Sequence, residues 1–307
     1  MKSTDGSAVI PSNQPLLVQF ALLLFLVIAF SGLGSGLVQL IGKTTGMDYV
    51  ALAANLKADA PIEEKNFIRL GLSIGHLMSF AIPSLLFMWL IHQKNWLRTL
   101  QINSRLNWLT AILGGLFMLL FFPLAQWTYW LNQQIPMPDW AVQQETLINQ
   151  TIISLLQIEQ PYELVLNLFV IGVLPAIGEE LLFRGILQNK LARLWQQPQL
   201  AVWVSAFIFS AIHFQFQGFV PRMLLGAALG YLLVWTRNLS VPIIAHFVFN
   251  ASQVVYQYLY YKEETDALDL AKTDTFPIWM LIGSLGLLFL ISQILREQRS
   301  ERVESRE

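Results

Sequence analysis

The sequence predicts an all-α, polytopic membrane protein with about eight transmembrane helices around an intramembrane cavity. Three observations predict it. Hydrophobic residues make up 55% of the 307 and fall in long blocks, as membrane spans require. Only 13% of residues are charged, against about 25% in a typical soluble chain. A few ionisable and amide side chains lie inside the apolar blocks, where they are costly and mark function by default.

The blocks cover residues 16–41, 68–91, 108–131, 162–193, 200–215, 220–235, 241–260 and 276–295. Most reach the roughly 20 residues that cross a bilayer core. The first is far longer than the roughly 7–15-residue apolar region of a signal peptide and reads as a retained span. Its Gly32-Leu33-Gly34-Ser35-Gly36 run is either a helix-packing face or a flexible exit from the bilayer. Pro83, Pro123 and Pro175 fall within or at the ends of spans, where neighbouring helices re-satisfy the freed carbonyls. Blocks 200–215 and 220–235 are short and flank the polar hinge Gln215-Phe216-Gln217-Gly218. Short, interrupted helices in a membrane often surround a cavity.

Loop charges set the orientation. Lys94, Arg98 and Arg105 lie in one connection with no acid, and Asp139, Glu145 and Glu159 in another with no Lys or Arg. Arg184, Lys190 and Arg193 follow the fourth block, and Arg296, Arg299, Arg302 and Arg306 the last. Alternating sides places both termini in the cytoplasm, with Lys2 before the first span and residues 297–307 as a cytoplasmic tail whose arginines are the basic residues that the orientation rule counts. The whole chain, 1–307, reads as one integral membrane domain, expected in a bacterial plasma membrane and in contact with lipid. A net charge of -1 gives no basic face for nucleic acid. The lack of cysteine rules out disulfides and thiolate metal sites.

The centre of the chain is Gly178-Glu179-Glu180-Leu181-Leu182-Phe183-Arg184. A central acidic residue costs roughly 2.5–3.5 kcal/mol on insertion scales, and here two are adjacent. Glu180 and Arg184 are i,i+4 neighbours suited to an ion pair, which turns Glu179 about 100° away. His213 lies deep in the fifth block, with Phe209 one turn before it as a wall of the site. His246 and Asn250 are i,i+4 in the seventh and face one cavity. At about 1.5 Å per residue, Glu179 and His213 each lie roughly 20 Å, and His246 roughly 10 Å, from the cytoplasmic face. One polar layer results. His76 and His92 are expected to be structural.

The one Gly-x-Ser-x-Gly match, Gly71-Leu72-Ser73-Ile74-Gly75, lies inside an apolar block and not at a strand-to-helix turn, and there is no cysteine and no His-Glu-x-x-His, so a Ser or Cys nucleophile lacks support. A buried carboxylate can take a proton from water, with a histidine orienting that water and an amide stabilising an oxyanion. Alternatively Glu179, His213 and His246 bind Zn²⁺, which activates the water. The same groups also suit a proton or ion path in a transporter.

Glu179-Glu180-x-x-x-Arg184, Phe209-x-x-x-His213 and His246-x-x-x-Asn250, in this order, resemble the CPBP family of intramembrane proteases, the CAAX-prenyl-protease and bacteriocin-immunity group. The resemblance spans residues 162–260, the expected catalytic core. It implies an eight-span endopeptidase whose site opens toward the cytoplasm and whose substrate is a membrane-associated peptide or protein. Carried over, Glu179 is the base, His213 orients the water, and His246 and Asn250 form the oxyanion site. Arg184 pairs with Glu180, and Phe209 shapes the substrate pocket. The family is often labelled metallopeptidase, and a glutamate-only mechanism is also implied; Asn250 suits an oxyanion donor better than a zinc ligand, which favours the metal-independent route and leaves Zn²⁺ as the alternative. Some relatives serve in immunity or as scaffolds without turnover, which is the competing expectation.

Overall fold

The computed structural model describes residues 14–102, 106–263 and 275–304. Lys2, Arg105, Arg306 and the rest of 305–307, used in the charge argument, lie outside the described residues. All regular structure among the described residues is helical, as expected. In chain order the helices are α1 Leu16–Thr45, α2 Tyr49–Asn55, α3 Ile62–His92, α4 Trp108–Gln133 and α5 Asp139–Leu156. They continue with α6 Pro161–Trp195, α7 Pro198–Ala211, α8 Phe219–Thr236, α9 Ser240–Glu263 and α10 Ile278–Glu304. By length and composition α1, α3, α4, α6, α8 and the Ile278–Gln298 part of α10 can cross a membrane. The other two expected spans, α7 and α9, are also helices, but α7 has only 14 residues.

Local chemistry sets the breaks. α4 bends at Leu120 and Phe121, just before Pro123, whose ring cannot donate to the helix ladder. α1 runs unbroken through Gly32–Gly36, and within this run Gly34 is the residue that packs closely on a neighbour, whereas Gly32 and Gly36 have open space around them. A Cβ on Gly34 would stand 2.8 Å from that of Met78, and Ser31 donates to Ser79 at 2.9 Å. α5 lies in a connection read from sequence as a loop. Its Gln143, Gln144, Glu145, Asn149 and Gln150 lower its mean hydropathy, yet it buries Ala141, Glu145, Leu155 and Leu156. A scan for apolar runs passes over such an amphipathic helix.

Two ends of the bundle are defined by contacts. At one, Lys190 of α6 bonds to Gln19 of α1 and lies 5.1 Å above the Phe87 ring of α3. At the other, Arg69 of α3 pairs with Glu163 of α6 at 2.7 Å and bonds to Asn167 at 2.9 Å. There Thr151 and Ser154 of α5 donate to the carbonyls of Ala53 and Leu56, at 2.7 and 2.9 Å. Between the ends lies one apolar core, including Phe87 and Met88 of α3, Met118 of α4, Ile186 of α6, and Leu229 and Leu232 of α8.

Removing one partner of a buried pair strands the other charge, typically at about 3–5 kcal/mol. Arg69→Met is therefore expected to lower the thermal unfolding temperature in detergent strongly, since Glu163 is fully buried. Exposed Glu63, in the first turn of the same helix, provides the contrast: Glu63→Ala should change stability by no more than about 0.5 kcal/mol.

Candidate active site

The site is built on α6. Two wide π turns, Leu168–Val173 and Leu181–Gln188, flank the regular stretch Leu174–Glu180. Such turns free backbone groups and concentrate at functional positions. Glu179 and Glu180 end the regular stretch and are both buried.

Glu180 has a cation. Arg184 Nη1 donates to Glu180 Oε1 at 2.7 Å, and Nη2 donates to the carbonyl of Gly226 on α8 at 2.8 Å. The guanidinium also lies 4.6 Å from the centre of the Phe209 ring on α7. Gly226 permits this approach, because a Cβ there would meet Phe209 at 3.0 Å and Ala206 at 3.3 Å. His246 Nδ1 is 3.0 Å from the same Glu180 oxygen. An ion-paired carboxylate only accepts, so Nδ1 is the donor and the neutral ring carries its lone pair on Nε2.

Glu179 is placed differently. His246 Nε2 is 4.0 Å from its Oε2, and His76 Nδ1 is 3.8 Å from its Oε1. The division read from the spacing, Glu180 toward Arg184 and Glu179 elsewhere, is what the geometry displays. Glu179, Glu180, Arg184 and His246 therefore meet directly.

The remaining expected residues stand one step back. His213 Nδ1 donates to the Phe209 carbonyl at 2.7 Å, leaving Nε2 as an acceptor, and it makes no ion pair with either glutamate among the described residues. Asn250 donates to the carbonyl of Ile171 at 3.0 Å, within the first π turn. Phe209, expected to shape the substrate pocket, is 2% exposed. Its neighbours are Arg184, Phe183, His213 and His246, so it supports the site's own residues and has no free face for a substrate.

Two features escaped the sequence. His76, expected to be structural, lies beside Glu179, and its buried Nδ1 has no hydrogen-bond partner. The available signal was its position mid-way along a long span, where interfacial water cannot solvate it. The second is a polar clasp beyond His213. Glu145 of α5 accepts from the amides of Gln217 and Gly218 at 2.7 and 3.0 Å. Asn132 of α4 donates to the Phe216 carbonyl at 2.8 Å, and Arg222 of α8 donates to Gln215 at 2.6 Å. The clasp holds the turn after α7, where Phe214 adopts φ 52°.

No three His, Asp or Glu side chains among the described residues are grouped so as to hold a metal ion. The bonds made by Nδ1 of His246 and Nδ1 of His213 leave the Nε2 atoms as the ring nitrogens open to other partners. The zinc set Glu179, His213 and His246 does not converge as ligands here, and no step below passes through a metal.

Residues 161–252 match the family model described as type II CAAX prenyl endopeptidase Rce1-like. The family resemblance read from the three motifs is thereby borne out for that stretch. The uncharacterized protein YpbD of Bacillus subtilis (strain 168) is 33% identical over 89 residues, 28% of this chain and 42% of that protein. The chain thus spans about two fifths of the length of that relative. No solved structure matches the chain significantly.

Arg184 contributes charge, a planar fork and a stacking surface, of which lysine supplies only the first. Thermal unfolding in detergent should therefore rank the wild type above Arg184→Lys, and Arg184→Lys above Arg184→Ala. Arg184→Ala is expected to cost about 3–5 kcal/mol because Glu180 is left buried without its cation.

Proposed function

We propose that the chain is a membrane-embedded endopeptidase in which Glu179 takes a proton from water as the water oxygen attacks a peptide carbonyl. One observation carries this reading. Two adjacent buried carboxylates have been given different surroundings: Glu180 is ion-paired with Arg184, whereas Glu179, among the described residues, has no Lys or Arg in contact and lies between two imidazoles. Separated environments for neighbouring titratable groups mark a division between structural and proton-transferring roles.

Glu180 acts on His246 as an orienting acceptor, since its bond to Nδ1 aims Nε2 at Glu179. A base oriented by a third group is the recurring geometry of proton-transfer sites. The proton taken from water by Glu179 passes to His246 Nε2, producing an imidazolium between two carboxylates. From there it goes to the leaving nitrogen as the carbon–nitrogen bond breaks. This gives His246 a proton-carrying role in place of the oxyanion contact implied by the family resemblance. Asn250 keeps the oxyanion role: its amide has two N–H donors, one fixed by Ile171 and the other for the carbonyl oxygen as charge develops. His213, with Nε2 as acceptor, accepts a hydrogen bond from the second O–H of the attacking water and orients it. The substrate class is a membrane-associated peptide or protein.

The test is cleavage of a mixed-sequence quenched-fluorescent peptide pool by the protein in nanodiscs. Glu179→Gln should lower kcat by about 10²–10⁴-fold, the usual worth of a positioned general base. Undiminished cleavage in that variant would remove Glu179 from the role. Activity should survive exhaustive chelation in metal-free buffer, and its loss there with recovery on adding Zn²⁺ would overturn the metal-independent chemistry. If no peptide is cleaved while Glu179→Gln retains the cellular phenotype, the protein acts without turnover, as an immunity factor, scaffold or transporter.

A further inference from the structure

Glu179 is closed off by Glu180, Arg184 and His246, which are 0%, 1% and 3% exposed. On its other side stands His76, whose side chain is 24% exposed. His76 lines the inner end of a groove of about 840 Å³ between α1 and α3. The groove continues past Ser79, Gly75 and Ser35 to Gln39, Lys43 and the turn Gly46–Val50. Its mouth is therefore at the end of the bundle that carries α2 and α5. That is the end opposite Lys190, whereas the family resemblance directs access to the Lys190 end.

Deepening the endopeptidase reading and resting on it, we propose that this groove is the substrate-binding site. It takes an extended peptide segment of a membrane-associated polypeptide, which enters from the α2–α5 end and meets His76 before Glu179. The groove is closed at its foot, where Ser31 bonds to Ser79 and Gly34 abuts Met78, whereas a helix with its side chains is about 10–12 Å across. An extended chain is thinner and directs alternate side chains to opposite faces. It also exposes its carbonyls to attack, which a helix does not.

The lining fits that occupant chemically. An unwound backbone in an apolar setting needs partners for its N–H and C=O groups, each costing several kcal/mol if left bare. Ser35, Gln39 and Ser79 line the groove and provide hydroxyl and amide partners. Gly75 leaves the wall open, since a Cβ there meets nothing within 4 Å. The unpartnered Nδ1 of His76 faces Glu179 at 3.8 Å, so the inner end of the groove is one imidazole ring away from the base.

The natural chain has no cysteine, so single-cysteine variants accept a thiol label at one position only. Ser35→Cys lies in the groove, whereas Gly36→Cys is the next residue, exposed and outside the groove lining. Each full-length variant in nanodiscs is reacted with a bulky maleimide and assayed on the same peptide pool. Labelling Ser35→Cys should reduce cleavage about tenfold or more, while labelling Gly36→Cys should leave it within about twofold of its unlabelled value. Gly75→Leu should raise KM with unchanged kcat and an unchanged melting temperature. Equal effects of the two labels, or an unaltered KM in Gly75→Leu, overturn the groove. If the wild type cleaves nothing, the endopeptidase reading fails and a turnover-independent readout decides. Protection of Ser35→Cys from the maleimide by the peptide pool then upholds peptide binding in the groove, and lack of protection overturns it.

Discussion

Burying an arginine removes it from water at a cost of several kcal/mol, and the surroundings must repay that cost in detail. Arg184 is 1% exposed, and its repayment fixes much of the molecule. Its charge is matched by Glu180 one turn back, its second nitrogen by the Gly226 carbonyl, and its face by the Phe209 ring. Those partners lie on α6, α8 and α7. Through Glu180 the same cluster reaches His246 on α9. One side chain thereby sets the register of four helices against each other, in a setting where apolar packing alone has no directional preference. Glycine at 226 is part of the arrangement, because a Cβ there would press on Phe209 and Ala206 of α7 at 3.0 and 3.3 Å.

The second consequence is chemical. Because Arg184 and His246 both bond to Glu180, the neighbouring carboxylate is left with imidazoles for company and no guanidinium in contact. The structural ion pair and the reactive group are thus adjacent residues whose difference is made by what each one faces. Their separation by one residue, about 100° around the helix, is the least that could divide them so.

Much of this was legible in the sequence, and the reason is local. Glu180 with Arg184, Phe209 with His213, and His246 with Asn250 are each one helical turn apart, so their pairing is written in the spacing. The apolar blocks likewise announced the helices. What could not be read depends on contacts between distant segments. His76 has no ionisable or amide neighbour one turn away to mark it, and only packing of α3 on α6 brings it to Glu179. The burial of Phe209 was similarly hidden, since its environment comes from α6, α8 and α9. α5 was missed because its apolar face is narrow, and the Glu145–Asn132–Arg222 clasp because its members come from three helices.

The wide turns of α6 carry one more implication, for the tolerance of the chain to change in length. Each residue added to or removed from a helix rotates everything beyond it by about 100°. Arg184 lies within the second wide turn, and Lys190 just beyond it is held to Gln19 and Phe87. A single deletion between Leu181 and Gln188 would let that turn tighten while leaving one of these anchors facing the wrong way. Substitutions along this stretch can drift one at a time, but its residue count is fixed from both sides. Gains and losses of length are expected instead in the connections between helices, where an added residue turns no helix.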